Sequence, residues 1–258
     1  MIGHVSLVGA GPGDPDLITV RGARRLAEAD LVLYDALCAQ AARALAPEAR
    51  WFYVGKRAGR ESIDQEAINR LLVRSAKRGL CVVRLKSGDP FVLGRGGEEA
   101  LALAAAGIPF EVIPGVSSAL AGPALAGIPV THRGLASAFV VLSGHDLEAV
   151  ARVVDGLAPG SATVVVLMGL GARRRISARL LARGWDPALP AAIVQGAATA
   201  ESWRWLGRLD GLATAAVPDS GAPGLLVVGA VAALATTIAA DAPGAVESLA
   251  AAVSRESR

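Results

Sequence analysis

The stretch from Arg84 to Glu99 constrains the fold of this chain more than any other segment. It reads RLKSGDPFVLGRGGEE, it follows the β-branched run Cys81-Val-Val, and a helical pattern begins near Glu98. A strand, a loop rich in glycine and proline, and then a helix form the arrangement that places a ligand site at the carboxyl edge of a parallel sheet. The glycines permit close backbone approach and positive φ angles. We therefore predict an α/β fold with a ligand-binding loop at this point.

A second glycine-rich loop lies near the start of the chain. Residues 4–10 have the composition of a buried parallel strand, and the sequence GAGPGDPD follows at Gly9–Asp16. A dinucleotide fingerprint would need a third glycine where Asp14 stands, so the spacing disfavours a nicotinamide or flavin. Asp14 or Asp16 is also suited to cap a helix that begins near Leu17. A tight strand-to-helix turn with no ligand remains the alternative.

The first half of the chain alternates short apolar strands with helices. The strands are predicted near residues 4–10, 30–34, 51–54, 80–86 and 110–113. The helices are predicted near residues 17–29, 39–46, 63–78 and 96–107. Strands that are apolar throughout and are joined by helices indicate a parallel sheet covered on both faces.

The pattern changes after residue 114, and the second half predicts another α/β layer with mixed strands. Its strands are predicted near residues 138–143, 162–168, 191–196, 202–207 and 225–229. Its helices are predicted near residues 117–127, 146–155 and 172–183. We predict an N-terminal domain over 1–114, a C-terminal domain over 115–240 and a peripheral tail over 241–258. The active site is expected in the cleft between the two lobes.

Composition and charge disfavour several classes of protein. The formal net charge is +3 with no long run of lysine and arginine, which disfavours a nucleic-acid partner. Cys38 and Cys81 lack metal-ligand spacing, and no histidine pair has it either, so we expect no metal and a reduced, cytoplasmic setting. No secretory leader is expected. The longest apolar run, 224–240, falls short of a membrane span and favours a strand followed by a helix.

Two ionisable residues follow predicted strands of the first domain and are candidates for chemistry. Asp35 ends the second strand, where a carboxylate can accept a proton, although it can equally cap the next helix. Lys56 ends the third strand beside apolar residues that can shift the pKa of a lysine, and a surface cation is its alternative. No serine or cysteine lies in a nucleophile elbow. The residues alone indicate a two-lobed α/β enzyme for a small anionic substrate, with the reaction left open.

Several ordered sequence blocks resemble the motifs of the tetrapyrrole methylase family. They are Val8–Thr19, Val54–Gly59 with Gln65–Asn69, Arg84–Glu99, and Ala126–Arg133 with Ser143–His145. The resemblance runs from about residue 4 to residue 234, and the blocks are most similar to those of members that methylate uroporphyrinogen III. Ser87, Leu93 and Leu125 depart from the usual glycine, phenylalanine and tyrosine, which bears on substrate preference and loop geometry.

The resemblance implies a fold, a cofactor and a reaction. It implies the two-lobed tetrapyrrole methylase fold, a homodimer and S-adenosylmethionine as methyl donor, with S-adenosylhomocysteine as product. The implied reaction is methylation of uroporphyrinogen III at C2 and C7, giving precorrin-2 via precorrin-1 for sirohaem or cobalamin biosynthesis. The alternatives are a later precorrin methyltransferase, a methylase of ribosomal RNA or diphthamide, and a catalytically inactive tetrapyrrole-binding module.

The resemblance also assigns site residues in this chain. The methyl-donor contacts would be Pro12, Ser87, Gly88, Asp89, Val92, Ser117, Ser118, Met168 and Ala197, several of them through the backbone. The proton acceptor would be Asp35 and the proton donor Lys56. The substrate is rich in carboxylates, which charged hydrogen-bond donors bind strongly. The donors that the sequence offers for them are Arg57, Lys86, Arg95, His132 and Arg133.

Overall fold

The computed structural model describes residues 1–35, 42–55 and 63–238. The chain divides into two compact units, Met1–Ser118 and Ala119–Arg258. The predicted joint between residues 114 and 115 lies four residues before this division. The predicted tail over 241–258 lies outside the described residues.

The first unit is built on a five-stranded parallel sheet. Its strands are β1 (His4–Gly9), β2 (Leu31–Tyr34), β3 (Arg50–Tyr53), β4 (Cys81–Lys86) and β5 (Phe110–Ile113), in the order β3-β2-β4-β1-β5. All four pairings are parallel. β4 is the central strand, and both faces of the sheet carry a buried apolar cluster. The parallel sheet predicted from the apolar strands is confirmed.

Three helices of the first unit follow the predicted pattern, with one correction. They are α1 (Val20–Ala27), α2 (Gln65–Lys77) and α3 (Gly96–Ala105). The prediction that the first helix begins near Leu17 is wrong, because Asp14 caps only a 3₁₀ turn over Pro15–Leu17. Ile18 is extended, and the hydroxyl of Thr19 then accepts a hydrogen bond from Gly22 N to start α1.

The second unit is built on a five-stranded mixed sheet. Its strands are β6 (Phe139–Ser143), β7 (Thr163–Leu167), β8 (Pro190–Gln195), β9 (Trp203–Arg208) and β10 (Gly224–Val228), in the order β6-β7-β10-β8-β9. β6 and β7 are parallel, and the other three pairings are antiparallel. The mixed sheet predicted for this half is confirmed, and with it the predicted fold class.

Helices of the second unit cover its sheet. They are α4 (Ser118–Leu125), α5 (Leu147–Gly156), α6 (Arg173–Ala182) and the short α7 (Ala235–Ile238). One face of the sheet packs around the buried Trp185 and Leu180, and the other around Ile128 and Val227. The apolar run from residue 224 is a strand, then a 3₁₀ turn and a helix, as predicted. Within the described ranges, no helix is both long and apolar enough to cross a membrane.

Candidate active site

The carboxyl ends of three neighbouring strands bring the predicted loops of the first unit together. β4, β1 and β5 are adjacent in the sheet, so the chain leaves all three at one edge. We call the segments that follow them the second glycine loop (Ser87–Gly97), the first glycine loop (Gly9–Asp16) and the third segment (Pro114–Ser117). Gly88 N donates to Gly11 O at 2.7 Å, and Gly11 N donates to Gly88 O at 3.2 Å. This reciprocal pair fixes the two glycine loops against each other.

Two positions at this edge require glycine because the main chains touch. A Cβ on Gly9 would lie 2.5 Å from the Cα of Gly115. A Cβ on Gly115 would lie 2.2 Å from the carbonyl oxygen of Gly88. Both distances are well inside van der Waals contact. Any side chain at Gly9 or Gly115 must therefore push these segments apart.

Asp89 connects the second glycine loop to the third segment. Its Oδ1 accepts a hydrogen bond from Phe91 N at 2.8 Å, and its Oδ2 accepts one from Gly115 N at 3.1 Å. Both carboxylate oxygens thus serve the local main chain. The predicted contact between Asp89 and the methyl donor stays a prediction, and the structure gives this side chain an organising role in addition.

Seven of the nine predicted methyl-donor contacts lie on these loops or immediately beside them. They are Pro12, Ser87, Gly88, Asp89, Val92, Ser117 and Ser118. Pro12, Gly88 and Ser117 are buried, and Val92 is exposed. A Cβ on Gly88 would lie 3.5 Å from Ser118 N, so Ser118, the last residue of the first unit, is in contact distance of the second glycine loop. The structure therefore places these residues together at one sheet edge.

The other two predicted donor contacts lie in the second unit, after strands β7 and β8. Met168 follows β7 with a left-handed φ of 57° and is 41% exposed. Ala197 packs on the apolar cluster of its sheet, next to Ala198 with a φ of 63°. Because β10 is antiparallel to both strands, β7 and β8 end at the same edge of the mixed sheet. Left-handed non-glycine residues are strained, and such strain is often found at functional sites.

A buried cluster of charged side chains lies beneath the carboxyl edge of the parallel sheet. Arg84 Nη2 donates to Asp35 Oδ1 at 2.7 Å, and Arg84 Nε donates to Glu99 Oε1 at 2.9 Å. Lys86 Nζ lies 3.2 Å from Oε1 and 3.1 Å from Oε2 of Glu99, and only the Oε1 contact has hydrogen-bond geometry. Gln65 Nε2 also donates to Glu99 Oε1, at 3.2 Å. We call Asp35, Arg84, Lys86 and Glu99 the buried charge cluster.

Burial divides this cluster into an inner part and one outer member. The side chains of Arg84 and Lys86 are each 3% exposed and that of Glu99 is fully buried, whereas that of Asp35 is 29% exposed. Burial and the nearby Arg84 lower the pKa of Lys86. Burial alone would lower the pKa of Arg84 as well, but Asp35 and Glu99 outweigh burial and raise it. Arg84 is therefore a fixed cation beside the predicted proton acceptor.

The predicted substrate contacts are found in different surroundings. Arg95 precedes α3 with a left-handed φ of 59°, and its guanidinium donates two hydrogen bonds, at 2.8 and 2.7 Å, to Glu98. His132 and Arg133 lie in an exposed turn of the second unit, closed by hydrogen bonds between His132 and Ala136. Lys86 is buried in the charge cluster, so its contact with substrate stays a prediction.

Some predicted residues fall outside the part of the chain that the structure describes. They are Lys56 and Arg57. The residues after Asp35 are likewise outside it as far as residue 41, so its alternative role as a helix cap stays open.

The sequence interpretation missed Glu99 and Gln65. Glu99 lies in the first turn of α3, where an acidic residue usually serves the helix terminus. A signal was present in β4, because two cations within an apolar buried strand need anionic partners. The sequence does not say which acid provides them. Glu98 is half-exposed on the surface, while its neighbour Glu99 is buried.

The fold and the loop edge define the class of protein. A family model described as Tetrapyrrole (Corrin/Porphyrin) Methylases matches residues 4–213, and the chain belongs to this family. It is 45% identical over 235 residues to the uroporphyrinogen-III C-methyltransferase of Methanocaldococcus jannaschii, covering 90% of this chain and 97% of that protein. It is 46% identical over 234 residues to a siroheme synthase of Methylococcus capsulatus, covering 89% of this chain. The chain spans about half the length of that synthase, 49%.

Solved structures give the same relationship. The native form of uroporphyrin III C-methyl transferase from Thermus thermophilus matches with a TM-score of 0.76 and 44% identity, covering 90% of this chain and 100% of that one. A structure of the Thermus thermophilus enzyme complexed with S-adenyl homocysteine matches with a TM-score of 0.75, the same identity and the same coverage. Diphthine synthase, at 19% identity and a TM-score of 0.62, shares the fold alone.

Proposed function

We propose that this chain is an S-adenosylmethionine-dependent C-methyltransferase that acts on uroporphyrinogen III. It would methylate C2 and C7, giving precorrin-2 via precorrin-1 for sirohaem or cobalamin biosynthesis. The observation that carries the proposal is the 45% identity, along 97% of its length, to a relative named for this reaction. The T. thermophilus relative complexed with S-adenyl homocysteine supports the choice of methyl donor.

The loop edge of the parallel sheet has the chemistry that this methyl donor needs. The donor supplies a methyl group on a sulfonium cation, and that positive charge disappears as the methyl leaves. A free carboxylate beside the sulfur would stabilise the ground state more than the transition state. Asp89 is the acid of the second glycine loop, and both its oxygens accept backbone hydrogen bonds. The loop residues can therefore hold the donor through main-chain groups and small side chains.

Asp35 is suited to handle the proton that the reaction releases. Methylation of a pyrrole β-carbon leaves positive charge on the ring, and a proton must then be lost. Asp35 is partly exposed at the edge of the sheet, and its hydrogen bond with the buried Arg84 holds a carboxylate where it can accept a proton. Lys56, which lies outside the described residues, is proposed as the proton donor.

Substrate recognition would use the basic residues that remain accessible. Arg133 and His132 are exposed in the second unit, and Arg95 is half-exposed in the first. Charge-assisted hydrogen bonds from such groups suit the carboxylates of uroporphyrinogen III. We further propose that Arg57 takes part in binding the substrate carboxylates. The enzyme is also proposed to act as a homodimer in the cytoplasm.

The test is incubation of the purified protein with uroporphyrinogen III and methyl-labelled S-adenosylmethionine. We expect a product that gains the mass of two methyl groups and carries two labels. Calorimetric titration with S-adenosylhomocysteine should show binding, and titration with NAD should show none. Donor binding without labelled product would instead support an inactive tetrapyrrole-binding module. Labelling of a precorrin but not of uroporphyrinogen III would support a later methyltransferase of the corrin pathway.

A further inference from the structure

The buried charge cluster contains three charged side chains in addition to the predicted proton acceptor Asp35. Every nitrogen of the Arg84 guanidinium has a partner. Nε donates to Glu99, Nη1 donates to the carbonyl oxygens of Leu85 at 3.1 Å and Leu33 at 3.4 Å, and Nη2 donates to Asp35. The planar guanidinium is therefore held from both sides, with an acid at each end. Glu99 and the two carbonyl oxygens fix the orientation of the guanidinium. That orientation in turn fixes the position of the Asp35 carboxylate at the other end.

Glu99 is the anchor of this arrangement. Its carboxylate is fully buried, and Oε1 alone accepts hydrogen bonds from Arg84, Lys86 and Gln65. These partners come from β4 and from α2, so Glu99 on α3 joins three elements. An isolated carboxylate in this position would be strongly unfavourable. Two cations oppose two acids in the cluster, so its formal charge is balanced.

The charges in the cluster are not explained by stability alone. Replacing a buried ion pair by apolar side chains of similar volume is often neutral or stabilising, so burial of a pair is weak support for a purely structural role. Three of the four side chains are shut off from solvent, and only Asp35 reaches it. Asp35 is therefore the member of the cluster through which the network can act on a bound molecule.

We propose that Glu99 is a positioning residue that acts through Arg84 to hold the carboxylate of Asp35 in place for proton transfer. The role of Lys86 is to balance the charge of Glu99 so that Arg84 remains free to bridge both acids. This inference rests on the proposed function, because it takes Asp35 as the proton acceptor. It assigns Glu99 a part in turnover although its carboxylate has no access to substrate.

A double-mutant cycle between Glu99→Gln and Asp35→Asn tests the proposal. Glu99→Gln keeps the shape of the side chain and removes its charge. Loss of one charge-assisted hydrogen bond predicts a fall in kcat of about ten- to a hundredfold, with the affinity for S-adenosylhomocysteine unchanged. If Glu99 acts through Asp35, then adding Glu99→Gln to Asp35→Asn lowers kcat no further. If the two effects multiply, Glu99 has only a structural role and the proposal is overturned.

Glu66→Gln is the matched control for this cycle. Glu66 lies on α2 beside Gln65, its side chain is 86% exposed, and it pairs only with Arg70 in the described part of the chain. The same chemical change at this position should leave kcat and the melting temperature as in the wild type. Normal turnover of Asp35→Asn would also overturn the proposal, because no proton acceptor would then remain for Glu99 to position.

Arginine side-chain NMR gives a readout that needs no turnover. The Nε–H of Arg84, assigned by its disappearance in Arg84→Lys, should exchange slowly in the wild type because Glu99 accepts it in a buried site. Exchange should be faster by about tenfold or more in Glu99→Gln and unchanged in Asp35→Asn. Equal exchange in the wild type and Glu99→Gln would refute the positioning of Arg84. If the wild type does not methylate uroporphyrinogen III, the proposed function fails. The exchange rate would still test whether Glu99 holds the Arg84 guanidinium in place.

Discussion

Gly115→Ala tests whether the segments at the edge of the parallel sheet form one binding unit. An alanine Cβ at this position would lie 2.2 Å from the carbonyl oxygen of Gly88 and 2.7 Å from the Cα of Gly9. Non-bonded heavy atoms pack at about 3.5 Å, so the two glycine loops would have to retreat by roughly 1 Å. Both obstacles are main-chain atoms, which cannot rotate away as the end of a side chain can.

The expected magnitudes follow from this displacement. Overpacking a close-packed region costs about 1–3 kcal/mol. For a chain of this size that corresponds to a fall in melting temperature of roughly 2–12 °C. A misplacement of about 1 Å in groups that position the reactants can lower turnover by about a hundredfold. We therefore expect weaker binding of S-adenosylhomocysteine, slower methylation and a lower melting temperature together.

Gly97→Ala is the control, measured by the same calorimetric titration and thermal melt. Gly97 is exposed in the first turn of α3, and a Cβ there meets no atom within 4 Å beyond its chain neighbours and its own helix backbone. Alanine favours the helix over glycine by about 0.5–1 kcal/mol, so the melting temperature should hold or rise. Wild-type melting temperature and donor affinity in Gly115→Ala would refute the argument that contact between these backbones builds the donor site.

Other predictions concern the proton acceptor, the substrate and pH. Asp35→Asn should lower kcat by about 10²–10⁴-fold with donor affinity unchanged; near-normal turnover would favour a helix cap, which asparagine also provides. Arg133→Ala should raise KM for uroporphyrinogen III about ten- to a hundredfold, and an equal loss of donor affinity would contradict a substrate-specific role. Burial would raise the pKa of Glu111, but hydrogen bonds from Arg25 and Ser6 outweigh burial and lower it. The resulting stabilisation is present above the unfolded pKa and is lost as pH falls through the folded pKa. Glu111→Gln should therefore lower the melting temperature at about pH 7 and less so near pH 3, and an equal loss at both would count against this ion pair.

The sheet could be predicted from the sequence because its strands are buried on both faces. A strand such as β2 then appears as a short apolar run between helical segments, whatever its tertiary neighbours are. The start of α1 could not be predicted in the same way. Asp14 and Thr19 are both good capping residues, and the extended conformation of Ile18 between them decides which one begins the α-helix. Ile18 packs against a cluster of the sheet, so that choice depends on tertiary contacts.

The site could be predicted only where its residues follow a local pattern. Glycines in loops after strands, and Asp35 at a strand end, are visible in the sequence because their role depends on position along the chain. The pairing of Arg84 with Glu99 is different, because it depends on which face of α3 packs on the sheet. Glu98 and Glu99 are neighbouring residues of the same type, so the sequence does not distinguish them. In the folded structure only Glu99 is buried.

The position of Asp35 follows from a change in polarity along one face of the parallel sheet. On this face β2 carries Leu31 and Leu33 and β4 carries Val82, and all three pack in the same apolar cluster. Because side chains alternate along a strand, the same face continues through Arg84 to Lys86 on β4. On β4 the charged side chains thus lie toward the carboxyl edge, where α3 supplies Glu99 as their partner. Charge buried at this depth is held rigidly by its partners. A carboxylate fixed to such a cluster can reach solvent and still keep a defined position, which is what a proton acceptor beside a bound ring requires.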